Sequence, residues 1–326
     1  MTTHTPEPRI AVPEQLLPDG MRGFDPAAEV VGLSGETMGT IWRVRAAIGA
    51  GVDRERLRET IQHRLNEIVR QMSHWDDTSF LCQFNRSDAG MWTELPRDFA
   101  EVVRCALTIA EASGGAFDPA IGRLTDLWGL GPNKPDGEPL APEIAEALAH
   151  SGWRHLAFDP ATSRLRQPGG LWLDLSGIAK GYAADAVADC LAERGIFHAL
   201  TEIGGECVGR GIRPDGDPWW VDAEAPQSFT GPPLRIALHQ LAIATSGDYL
   251  GGAHTVDPAT GRLALHGTTA VTVIAPSCMV ADAWASALLV LPAGAAREVA
   301  TSHALSMRLL SRDGEEWLSP ALVAML

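Results

Sequence analysis

Asp282 stands in the middle of "VADAWASALLVL", residues 280 to 291, where Ala, Trp, Leu and Val occupy nearly every other position. An uncompensated carboxylate in such surroundings is costly, so the group must have a partner. Ser286 follows four residues later, which on a helix sets the two oxygens on one face about one turn apart. A carboxylate and a hydroxyl so placed could both ligate a hard cation such as Mg2+. A helix cap or an arginine brought in from elsewhere would satisfy Asp282 equally well, and spacing alone leaves these readings open.

Lys180 is the second residue of interest. It lies in "DLSGIAKGYAADAVADCLAERGI", residues 174 to 196, in the first turn of an expected helix. A cation there opposes the helix dipole, so its removal should leave the empty protein no less stable. Gly177 and Gly181 flank it and leave the backbone approachable. Free N–H groups and an ammonium together would suit a phosphate; the alternative is an ordinary solvated lysine. His254, in "HTVDPATGR", could act as a general base or be a satisfied polar residue. Asp257, Pro258 and Gly261 in the same stretch read as turn chemistry, with Asp257 a weaker candidate base. Small residues in "EIGGECVGRG" and "TSGDY" follow apolar strands and would let a ligand lie against the backbone. No dinucleotide-binding or P-loop glycine pattern, HExxH, GxSxG or paired CxxC is present.

The elements that must hold these residues follow from periodicity. "GTIWRVRAA" from Gly39 alternates as a strand. Arg54 to Met72 places Leu57, Ile61, Leu65, Ile68 and Met72 on one helical face. Further helices are expected over Asp98 to Ser113 and Pro142 to Ser151, with a hairpin in "HLAFDPATSRLRQPGGLWLDL". Ser176 is expected to cap the helix that carries Lys180, with Asp185, Asp189 and Glu193 on its wet side and Gly195 ending it. Ser277 should cap the Asp282 helix, and Pro292 should stop it. Between these two helices the segments read as strands. Strands in runs with helices grouped among them predict an α+β fold. Residues 1 to 30, rich in proline, read as a flexible tail, and 31 to 326 as one domain.

Composition narrows the function. A formal net charge of −15 argues against nucleic acid or an anionic membrane as main partner. An anionic ligand must therefore be held by local features. Five scattered cysteines without a CxxC pair fit free thiols. The N-terminus shows no basic region followed by an apolar run, and no stretch is long enough to span a membrane. A cytoplasmic protein is expected.

Taken together and in order, "ETMGTIWRV", "MSHWDDTSFLCQFN", "GAFDPAIGRLTDLWGLGP", "LDLSGIAKGYAADAVA", "EIGGE", "ATSGDY", "HTVDPATGR" and "VTVIAPSCMVADAWASALLVL" resemble the FAD:protein FMN transferase family, the ApbE family. The match runs from about Gly35 to Leu291. The resemblance implies antiparallel sheet with surrounding helices and a central FAD cleft. It implies FAD contacts from Met38, Trp75, Ala116, Phe117, Asp118, Asp174, Lys180 and Val256. It implies Mg2+ held by the Gly177 carbonyl, Asp282 and Ser286. The implied reaction is Mg2+-dependent transfer of FMN from FAD to a Thr or Ser hydroxyl of a target flavoprotein, with release of AMP. Lys180 would stabilise charge on the phosphate oxygens, with His254 or Asp257 as base. The rivals are hydrolysis of FAD by the same site and a non-catalytic FAD carrier.

Several positions depart from the family pattern. Trp75 stands where Tyr is usual, Ser286 where Thr is usual, and Ala285 where some members carry a further acidic ligand. Many members are exported lipoproteins, and no such leader is seen here.

Overall fold

The computed structural model describes residues 7–13, 15, 18–135, 137–249 and 255–326. The architecture is α+β, as expected, and its centre is an eight-stranded sheet. Its strands run in the spatial order Glu316–Leu318, Ser306–Ser311, Thr268–Ala275, Leu241–Gly247, Glu206–Arg210, Ala199–Ile203, Thr40–Ile48 and Glu29–Thr37. Every neighbouring pair is antiparallel.

Successive side chains of a strand face opposite ways, and the central strands bury both faces. Ala242, Ala244, Val271 and Val273 join the large core beneath the helices. Ile243 and Ile274 join a second core with Trp219, Leu234 and Ile236 on the other face. Helices Arg54–Met72, Arg97–Ala112, Ala179–Ala192 and Cys278–Val290 supply the helical side of the large core. Arg54–Met72 buries the five expected residues and starts on Asp53, whose side chain accepts from Arg56 N. Among the described residues no helix is long and apolar enough to cross a membrane.

Two helices carry the residues singled out above, and they meet backbone to backbone. A Cβ on Gly181 would lie 2.4 Å from the Cys278 carbonyl oxygen and 2.7 Å from Asp282 Cβ. Only glycine permits this approach. Gly181→Ala is expected to cost about 1–3 kcal/mol through overpacking, measurable as a lower denaturation midpoint with an unchanged m-value. A wild-type midpoint would show that the helices separate freely.

Ser277 caps Cys278–Val290 as expected, accepting from Val280 N. Asp185 corrects the sequence reading. It is buried, not on the wet side, and accepts from Ser277 Oγ at 2.8 Å, Cys278 N at 3.0 Å and Met279 N at 2.9 Å. Its charge thus sits at the positive end of the neighbouring helix, where such groups are favoured. Ser176 does not cap Ala179–Ala192, whose N-cap position is Ile178 with no side-chain hydrogen bond.

Two further expectations are altered. Arg9–Ala11 are not a loose tail: they pair in parallel with Leu234–Leu238, and Arg9 meets Glu316 at 2.6 Å. Three residues are too few to show periodicity, so the partner strand determines this one. The expected hairpin exists as Ala157–Asp159 against Arg164–Arg166, but Leu171 to Leu175 add no strand to it.

Candidate active site

The Lys180 and Asp282 helices open onto a cavity of 600 Å³. It joins elements far apart in sequence. Phe117, Asp118, Asp174, Gly177, Lys180, Val256, Asp282 and Ser286 all line it, and so does Ala116. A second cavity, of 660 Å³, adjoins it and is lined by Met38, Ile68, Met72 and Trp75. Ser176 and Lys180 line both.

Met38 reaches its cavity from a tight hairpin. Thr37 pairs with Thr40, and the two central residues have φ of 49° for Met38 and 71° for Gly39. Such a turn asks for left-handed backbone at both positions. Holding a Met there is a local strain of the kind found where a side chain is aimed at a ligand. Trp75 stands at the mouth, 60% exposed, with its ring 5.3 Å from that of His74.

Asp118 is buried and spends both oxygens on backbone, accepting from Ala120 N at 2.8 Å and Trp153 N at 3.0 Å. Burial pushes its carboxyl up to about 6, against the pull of these hydrogen bonds. Asp174 accepts from Ser176 N at 2.8 Å and so fixes the turn into the Lys180 helix. Val256 is buried at the start of a short strand. Asp257 does not line the cavity: it closes its own turn, accepting from Ala259 N at 2.9 Å and Thr260 Oγ1 at 2.7 Å. His254 lies outside the described residues.

Lys180 is not a solvated lysine. Its Nζ donates to Glu206 Oε1 at 2.6 Å. Burial would lower its pKa, but the charges of Glu206 and Asp282 outweigh this and raise it, so the ammonium is retained. Nor is the helix start free of partners, because Gly181 N donates to Asp282 Oδ2 at 2.9 Å. Asp282 Oδ1 takes no hydrogen bond among the described residues. Burial raises the Asp282 pKa, partly offset by Lys180 and by the Gly181 contact. Burial and the Asp282 charge likewise push Glu206 upward.

Glu206 is a cavity residue that sequence reasoning does not single out. The signal available was a Glu after two glycines in "EIGGE", at the start of a strand. Ser246 was missed as well; its Oγ lies 3.2 Å from Ser286 Oγ.

Five carboxylates (Asp118, Asp174, Glu206, Glu224 and Asp282) and one ammonium, Lys180, line the larger polar cavity among the described residues. Such a field repels an anionic phosphate, and a bound cation would relieve the repulsion. The donor set suits a hard ion: the open oxygen of Asp282, the hydroxyls of Ser286 and Ser246, and the Gly177 backbone, whose Cβ would fall 2.9 Å from Ser286 Oγ. No group of three or more His, Cys, Asp and Glu side chains gathers about a point among the described residues. The donors are one carboxylate, hydroxyls and backbone.

Comparison with known proteins decides the family. The ApbE family model matches residues 38–309, a span that includes all but a few elements described above. The chain belongs to the ApbE family. It is 35% identical to the FAD:protein FMN transferase of Klebsiella pneumoniae, over 90% of this chain and 89% of that protein. It is 33% identical to the protein of the same name from Escherichia coli K12, over 92% and 90% of the two chains. The flavin transferase ApbE from Vibrio cholerae superposes with a TM-score of 0.86 at 34% identity, over 92% of this chain and 100% of that one. The apo flavinyl transferase ApbE of Pseudomonas stutzeri gives 0.84 at 31% identity, over 92% and 98%. The expectation of an ApbE-type enzyme therefore stands, and so does the antiparallel fold with surrounding helices.

Proposed function

We propose that this ApbE-family chain transfers FMN from FAD to a Thr or Ser hydroxyl of a target flavoprotein, releases AMP, and requires Mg2+. The observation that carries the reading is the single ammonium of Lys180 among five carboxylates of the described residues, beside the open oxygen of Asp282 and the paired hydroxyls of Ser286 and Ser246. This arrangement fits a pyrophosphate that arrives with a divalent cation. Bound on Asp282, Ser286 and the Gly177 carbonyl, Mg2+ would supply charge neutralisation at the phosphate oxygens.

The chain's own groups divide the remaining work. Lys180 stabilises negative charge at the junction of the two cavities, as a preorganised donor does. Met38 and Trp75 offer apolar surface to the flavin portion of FAD, and Phe117 and Val256 line the rest of the cleft. The P–O bond to AMP breaks as the acceptor oxygen bonds the FMN phosphorus, and His254 takes the hydroxyl proton. The five cysteines, all free, support a reducing compartment, the cytoplasm.

Incubation with FAD and Mg2+, with and without a candidate flavoprotein, tests the reading by chromatography. AMP with protein-bound flavin supports transfer. AMP with free FMN supports FAD hydrolysis, and intact FAD supports a carrier. His254→Ala is expected to slow transfer by about 10²–10⁴-fold, as loss of a general base does, while FAD affinity holds. An equal loss of FAD affinity would make His254 a binding residue.

A further inference from the structure

Glu206 begins a strand whose position is tightly set. Ile203 pairs with Glu206 across Gly204 and Gly205, whose φ values of 63° and 108° make the two-residue turn. The side chain is 5% exposed, and one oxygen, Oε1, accepts from the Lys180 ammonium. The other, Oε2, is buried without a hydrogen-bond partner. A buried ion pair is poor evidence of a stabilising role, and one with an unsatisfied oxygen is poorer still. A role in the reaction accounts for it better.

The Lys180 charge acts on two buried acids, Glu206 and Asp282. Yet it pairs with Glu206 alone: among the described residues no Asp282 oxygen lies within ion-pairing distance of Nζ. Asp282 takes a backbone N–H instead. We propose that Glu206 is a positioning residue that holds the Lys180 ammonium away from Asp282, so that the Asp282 carboxylate stays open to the divalent cation. Without Glu206, the ammonium turns to Asp282, the other buried acid whose charge acts on it, and competes with the cation there. This proposal rests on the reading of Asp282 as a cation ligand.

The test is direct binding of Mn2+, counted as free ion by electron paramagnetic resonance, with each variant saturated with ADP. Glu206→Gln is expected to weaken Mn2+ binding by about tenfold or more, the effect typical of losing a supporting group. Glu206→Asp, which keeps the charge, should retain most of the affinity and guards against misfolding as the cause. In a Lys180→Met background, adding Glu206→Gln should change Mn2+ affinity little, since no ammonium remains to compete. Wild-type Mn2+ affinity in Asp282→Asn would sink the cation reading itself. Loss in Asp282→Asn with wild-type affinity in Glu206→Gln would overturn the positioning role alone. An undiminished effect of Glu206→Gln in the Lys180→Met background would overturn it too, by showing that Glu206 acts on the cation directly.

Discussion

Asp282→Asn should abolish Mg2+-dependent turnover while leaving the fold intact. The amide oxygen can still accept from Gly181 N, so the contact between the two helices survives. What goes is the charge that would hold the proposed cation. The loss should exceed the roughly 10–100-fold that follows removal of a mere supporting group. Stability in the absence of metal should move the other way. Burial raises the Asp282 pKa, so the folded protein holds a proton that the unfolded chain releases. Such a group makes stability fall as pH rises from the unfolded value through the folded one. The asparagine variant lacks this term and should melt at or above wild type, with a margin that grows toward neutral pH. Turnover against Mg2+ concentration and melting against pH together check both statements. Normal activity at limiting Mg2+ would remove Asp282 from the metal site.

Lys180→Met is expected to lose affinity for FAD and ADP by roughly ten- to a hundredfold, the equivalent of about 1.5–3 kcal/mol for a charge-assisted contact. Riboflavin, which has no phosphate, should bind nearly as before. The structure reverses the expectation for the empty protein. From sequence, a cation opposing the helix dipole could be lost without harm. In the fold it compensates Glu206, which pairs with it directly, and Asp282. Breaking a buried pair by removing one partner costs about 3–5 kcal/mol, and the low end applies because the Lys180 side chain keeps some exposure. The variant should therefore melt below wild type at neutral pH. The deficit should shrink as pH falls, because both acids take up protons and no longer need the ammonium. Titration of the three ligands and melting at two pH values would check this. Unchanged ADP affinity would remove Lys180 from the phosphate site and leave it only as the partner of Glu206.

These two residues show what a sequence makes legible. Asp282 stands out because its own helix is otherwise apolar, and that local contradiction points to a residue that lines the cavity. The amphipathic face of Arg54–Met72 and the Ser277 cap were likewise written within single segments. Glu206 could not be found in that way. Its link to Lys180 spans 26 positions and exists only because the strand Glu206–Arg210 packs against the helix Ala179–Ala192. Asp185 was misread for a similar reason. It belongs to a run of acids on one helix, and its partner is the start of another helix more than 90 residues away. The strand Arg9–Ala11 is too short to have periodicity and owes its form to its neighbour. Local patterns thus gave the elements and the chemistry of individual side chains. The pairings between elements came only from packing.

Transfer to a protein hydroxyl, as proposed, would be recorded in the mass of the acceptor. A candidate flavoprotein is incubated with this protein, FAD and Mg2+, then denatured and weighed by intact-mass spectrometry. The acceptor should be heavier by one FMN less one water, in amounts equal to the AMP released. A variant acceptor with Val in place of the modified Thr should stay unlabelled. An acceptor of unchanged mass, alongside AMP and an equal quantity of free FMN, would contradict transfer and establish FAD hydrolysis in its place.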